Sequence, residues 1–146
     1  MTAEDRIRVA VQHEDVDIGQ LIDEVRERSS GAIVTFTGIV RDDGIEAMEL
    51  EAYEEYAVRE LRQLAEKAVG QYNLHAVTVI HRVGALKVGE NILLILVSAG
   101  HRREAFHGCE EILEGIKAGV PIWKKEHRDE GATWVKGESP EADHLR

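Results

Sequence analysis

The chain has 146 residues, a mass of 16.3 kDa and a net charge of −10 from 28 acidic and 18 basic side chains. That length supports one core, and 43% hydrophobic with 32% charged residues excludes a disordered or collagen-like chain. The acid excess repels duplex nucleic acid, no apolar run approaches the roughly 18 residues of a membrane span, and no basic-then-apolar leader opens the chain. The lone Cys109 excludes an internal disulfide framework and a zinc site of several cysteines, so a cytoplasmic compartment is expected.

In chain order, residues 6–12 alternate apolar and polar as a strand does. Asp15 or Asp17 can cap a helix running to about Arg28, with Ile18, Leu21, Ile22 and Val25 on one face. Residues 32–40 form a β-rich run, a loop with an Asp-Gly turn signal follows, and residues 46–53 are expected to be its hairpin partner. A second helix is predicted over about 54–71, on the stripe Ala57, Leu61, Leu64, Ala65, Ala68 and Val69. Strands follow at 75–82 and 92–98, separated by a glycine-punctuated stretch. A third helix over 101–118 turns Ala105, Cys109, Ile112, Leu113 and Ile116 inward and stops at Gly119 and Pro121. Residues 121–136 hold both tryptophans and give one or two short strands. Residues 1–136 are expected to form one domain, and 137–146 an acidic, loose tail. The order β-α-β-β-α-β-β-α-β argues for an α+β domain with a mostly antiparallel or mixed sheet.

In an acidic protein a basic cluster needs a reason. Lys117, Lys124, Lys125, His127 and Arg128 stand against one acid, Glu126, and three of the chain's six lysines fall within nine residues. A helix stop and a proline interrupt them, so they are not one solvated helix face. They read either as a basic surface loop or as an anion pocket walled by Trp123, in which clustered lysines lower one another's pKa and give a nucleophile or proton donor. His101, Arg102 and Arg103 open the third helix, where cations oppose the dipole unless an anion lies between them; the bland alternative is a set of exposed cations. Arg41 ends the strand Phe36–Val40, in which Gly38 suggests a bulge or a close backbone approach; an arginine at a strand end is by itself ordinary surface charge. Cys109 reads as core, and His81-Arg82 as structural or interfacial. The histidines show no metal-ligand spacing, and no phosphate loop is present.

The segments FTGIVR, LEAYEEY, VIHRVGALKVGE, GHRREAF and IKAGVPIWKKE, in that order, resemble the large catalytic subunit of molybdopterin synthase. The resemblance spans about residues 6–136; the tail has no match in it. It implies an α/β hammerhead with an additional small antiparallel sheet. The implied reaction moves sulfur from the C-terminal thiocarboxylate of a small ubiquitin-like carrier to cyclic pyranopterin monophosphate. Two transfers, through a monosulfurated intermediate, form the molybdopterin dithiolene. It implies no cofactor, no metal and a homodimer within a heterotetramer. Residue by residue it implies Lys117 and Lys124 as catalytic. Ile39, Val40, Arg41, His101, Arg102, Lys125 and Glu126 join both lysines in holding substrate, with His101 and Arg102 acting partly across the dimer interface. A non-catalytic module that binds a Gly-Gly tail is the alternative from another class. A phosphate-ester hydrolase or nucleotide-binding enzyme lacks the metal-binding carboxylates or phosphate loop it would need.

Overall fold

The computed structural model describes residues 6–128 and 131–136; the expected acidic tail lies outside the described residues. The first alternating segment forms β1 (Ile7–Gln12), and Asp17 caps α1 (Ile18–Glu24) by accepting from the Gln20 N–H. The chain continues through β2 (Ala32–Ile39), β3 (Ala47–Ala52), α2 (Glu54–Tyr72), β4 (Leu74–Arg82) and β5 (Gly84–Lys87). It then forms β6 (Asn91–Ala99), α3 (Arg102–Gly119), β7 (Ile122–Arg128) and β8 (Gly131–Lys136). The helix at 18–24 is shorter than the expected run to Arg28. Val25, buried to 1% exposure, is its last apolar anchor, and nothing beyond it up to Ser30 gives a further turn a core to pack on.

Two four-stranded sheets result. The first has the order β1-β4-β6-β2, with β1 and β4 parallel and the other pairs antiparallel. Its central strands β4 and β6 are covered on both faces, which is why β6 reads as a near-continuous apolar run and why the alternation expected of residues 75–82 does not mark an exposed face. On one face Leu61, Ala65 and Ala68 of α2 and Ala105 and Ile112 of α3 pack with Val77, Val79, Ile95 and Val97. On the other, Leu21 and Val25 meet Ala76, Ile80, Leu94 and Leu96. Gly31 lies against Gly100, and a side chain at 31 would run into the Gly100 carbonyl, so the β2 entrance and the start of α3 are held together by bare backbone.

The second sheet, β5-β3-β7-β8, is wholly antiparallel. The expected β2–β3 hairpin does not form. β2 pairs with β6, its ladder slips between Gly38 and Ile39, and the chain crosses over so that β3 pairs with β5 and β7. Ile92 is passed over there, so the slip is a one-residue bulge on β6 opposite Gly38. It releases the strand end into the second sheet, where Val40, Ile45, Met48, Leu50, Leu86 and Ile122 form a separate apolar cluster.

Candidate active site

At the seam between the two sheets lies a cavity of about 120 Å³. One water needs roughly 10–15 Å³ of such space, so the cavity admits part of a ligand. The first sheet contributes Phe36, Gly38 and Ile39 from β2, His81 from β4, and Ile92 and Leu93 from β6. The last turns and exit of α3 contribute Leu113, Ile116, Lys117 and Val120; the second sheet contributes Leu50, Ile122 and Lys124. An apolar wall with a few convergent polar groups is the general form of a small-molecule site.

The chain brings the two lysines together by stopping α3 sharply. A residue before proline is disfavoured in helical conformation, and Val120 accordingly adopts φ −75°, ψ 131°, directing the chain into β7. Lys117 sits half-buried in the last turn of α3, at the negative end of the helix dipole. Lys124 comes back on β7 opposite Leu50 and is only 4% exposed. Two cations from different elements thus border one apolar space, where low polarity strengthens their field on any anion that enters.

Strand alternation separates the remaining residues of the basic segment. Ile122, Lys124 and Glu126 face inward, whereas Trp123, Lys125 and His127 face the other side. Lys125 therefore lies opposite Glu49 on the outward face and does not line the cavity. Glu126 shares the face of Lys124, but its carboxylate is bound by Arg128, whose other nitrogen donates to the Asp43 carbonyl at 3.0 Å. Trp123 packs edge-on to Tyr53 at 5.0 Å between centroids, away from the cavity.

β2 divides its residues in the same way. Ile39 lines the cavity, Val40 is buried in the second-sheet cluster, and Arg41 emerges half-exposed with its Nε 3.1 Å from Asp43 Oδ2. His101 and Arg102 lie elsewhere. Together with Gly31, Gly100 and Arg103 they surround an open hollow at the start of α3. Lys117 is 15 residues further along α3, about 22 Å at 1.5 Å per residue. The antiparallel β2–β6 ladder also separates them from Arg41: Ala32 pairs with Ala99 at one end and Ile39 with Asn91 at the other. Arg41 and the His-Arg pair therefore do not converge within one chain.

His81, which the sequence marks only as structural or interfacial, also lines the cavity. It is 6% exposed, and its Nδ1 lies 2.9 Å from the Arg82 carbonyl. A carbonyl only accepts, so Nδ1 carries a proton and donates it to this bond. His81 is one of several polar residues of β4, with Thr78 and Arg82 also buried, and each such group needs a partner. Among the described residues no group of three or more His, Cys, Asp and Glu side chains is placed to hold a metal ion.

A family profile for the MoaE protein matches residues 11–119. The chain belongs to the MoaE protein family. The molybdopterin synthase catalytic subunit of Pyrococcus abyssi is 39% identical over 137 residues, which span 91% of this chain and 93% of that protein. The crystal structure of molybdopterin synthase from Staphylococcus aureus superposes with a TM-score of 0.81 at 33% identity, covering 86% of this chain and 95% of that one. A MoaE protein of Burkholderia ambifaria gives 0.82 at 32% identity and 95% coverage of each chain. The matched region of this MoaE-family chain contains the cavity from β2 to Lys117; β7, which carries Lys124, lies just beyond the profile.

Proposed function

We propose that this chain is the sulfur-transferring catalytic subunit of a molybdopterin synthase, working at the Lys117–Lys124 cavity. The single observation that carries the reading is the meeting of two lysines, one from a helix end and one from a strand, in one apolar pocket. The relatives' designation as catalytic subunits supports it and implies a second component. That component is a small carrier with a C-terminal thiocarboxylate, and the acceptor is cyclic pyranopterin monophosphate. Both are anionic, which suits ammonium groups in an otherwise acidic protein. Lys117 and Lys124 protonate leaving oxygens and stabilise the charge that develops as the acyl–sulfur bond is exchanged. Arg41 and, across a homodimer, His101 and Arg102 of the second copy hold the phosphate and pterin. Two carriers on two copies make a heterotetramer. The reading includes a cytoplasmic location; no helix among the described residues is long and apolar enough to cross a membrane.

The test mixes the chain with precursor and thiocarboxylated carrier and measures molybdopterin. Formation of product that depends on Lys117 and Lys124 is expected. Capture of the carrier without product would overturn the reading in favour of a tail-binding module.

A further inference from the structure

Arg82 is a charged side chain at 4% exposure, far from the ordinary place of an arginine. Its Nε and Nη2 donate to the His13 carbonyl at 3.0 and 2.8 Å, and its Nη1 donates to the Asn91 carbonyl at 3.0 Å. Nη1 also reaches Glu90 Oε1 at 3.3 Å, forming an ion pair. The second oxygen of Glu90 accepts the Lys87 N–H at 2.7 Å, and the Glu90 N–H returns to the Lys87 carbonyl at 3.0 Å. One carboxylate thus closes the turn between β5 and β6 and anchors it to a buried cation. Gly89, at φ +92°, supplies the left-handed residue this turn requires. The Lys87 N–H and then the Arg82 guanidinium hold the Glu90 carboxyl below its ordinary range, so it is the charged form that the turn binds.

The turn does not end on itself. Its Gly89 N–H donates to the Val40 carbonyl and its Glu90 carbonyl accepts the Val40 N–H, both at 2.9 Å. These two bonds hold β2 where its regular pairing has been interrupted by the slip between Gly38 and Ile39. On either side of Val40 stand Ile39, which lines the cavity, and Arg41. The site therefore has a strand end released from its own ladder and re-anchored by a turn that a buried ion pair shapes.

We propose that Glu90, fixed by Arg82, is a positioning residue of the sulfur-transfer site: through the 87–90 turn it sets the placement of Ile39–Arg41 beside the cavity, and so the grip on the anionic pterin substrate. The inference rests on the reading of the reaction given above. Glu90 touches no substrate; it acts through Val40 on Arg41. Glu90→Ala removes the carboxylate from both the turn and Arg82. Glu90→Gln keeps the size and one acceptor oxygen but must aim an amide N–H₂ at either the Lys87 N–H or Arg82.

The experiment uses the chain with its thiocarboxylated carrier and cyclic pyranopterin monophosphate. KM for the precursor is expected to rise about tenfold in Glu90→Ala, the scale of removing one charge-assisted hydrogen bond, with kcat within about twofold. Glu90→Gln is expected to fall between Glu90→Ala and the parent, and it serves as the test if the alanine variant does not fold. In an Arg41→Ala background the same replacement is expected to add less than about twofold in KM, because residues acting through one another are non-additive. Additive effects, or a lowered Tm with KM unmoved, would overturn the proposal. A second readout does not depend on the reaction: the Val40 amide is expected to exchange faster in Glu90→Ala. Unchanged Val40 exchange overturns the coupling itself. Faster Val40 exchange in Glu90→Ala, beside a parent chain that forms no molybdopterin, leaves the coupling standing and refutes the assigned reaction.

Discussion

Replacing Lys117 by alanine separates chemistry from folding. The side chain is half-buried in the final turn of α3, so the substitution opens no sealed cavity. What it removes is a cation at the negative end of an 18-residue helix, worth about 0.3–1 kcal/mol. Alanine's slightly better helix propensity offsets a few tenths of that. The helix-end contribution to the loss is therefore about 0.5 kcal/mol, a Tm shift of about 1–2 °C for a chain of this size. The rate effect is on another scale, since a positioned proton donor is worth on the order of 10²–10⁴-fold. Lys117→Ala is thus expected to fold, to retain the carrier in a pull-down, and to lose most single-turnover sulfur transfer. Lys117→Arg is expected to restore the helix-end charge and the stability but not the rate, because a guanidinium stays protonated at neutral pH. Single-turnover formation of molybdopterin, quantified after quenching a saturating mixture of precursor and thiocarboxylated carrier, is the assay. A rate within about threefold of the parent would show that Lys117 is not the catalytic residue, and a collapse in stability beyond about 3 kcal/mol would show that it is a core group instead.

Lys124→Met keeps an unbranched stem at a 4% exposed position while removing its ammonium group; single-turnover transfer is expected to be lost in a chain that still folds, and transfer at the parent's rate would contradict this. Gly108→Ala is expected to destabilise despite alanine's helix preference of about 1 kcal/mol. The new Cβ would lie 2.7–2.8 Å from both Leu74 methyls, in a side chain 2% exposed with no room to swing, and overpacking of that kind costs about 1–3 kcal/mol; a higher urea midpoint would contradict this. Burial pushes the Cys109 thiol up to about 11 from 9.0. The neutral thiol is the form that folding favours, so its contribution is fully present below pH 9 and is lost as pH rises from 9 toward 11. Native Cys109 should therefore resist iodoacetamide at about pH 8 and react in denaturant; rapid native labelling would show an accessible thiolate.

The elements are legible wherever one period dominates. The α2 and α3 stripes and the apolar β6 emerge within a residue or two of their observed ends, because packing on one face dictates the spacing of Leu61, Ala65 and Ala68 or of Cys109, Ile112 and Ile116. The partner of β3 is not legible. Two β-rich runs joined by an Asp-Gly turn carry the local signature of a hairpin, and only the covering of β6 by both β2 and β4 shows that β2 is already paired. In the candidate site, Lys117 and Lys124 can be picked out as cations flanking a helix stop. His81 cannot, since β4 carries polar residues on both of its buried faces, His75 and His81 on one and Thr78 and Arg82 on the other, so a polar residue does not mark the side that meets the cavity. The separation of Arg41 from His101 and Arg102 is likewise a matter of antiparallel pairing, which no local pattern contains.

Lys124 and Lys125 are neighbours in the chain but strangers in space, one facing the cavity wall and the other facing Glu49 on the outer surface. The doubled lysine is therefore no spare copy. Because side chains alternate strictly along a strand, Lys125 cannot take over from a missing Lys124 by any change of rotamer. Insertion or deletion of one residue between Pro121 and Lys124 would do what substitution cannot: it would exchange the two lysines, bring the outward indole and imidazole inside, and expel Ile122 from its cluster. The length of this short segment is thus under a stricter demand than its letters.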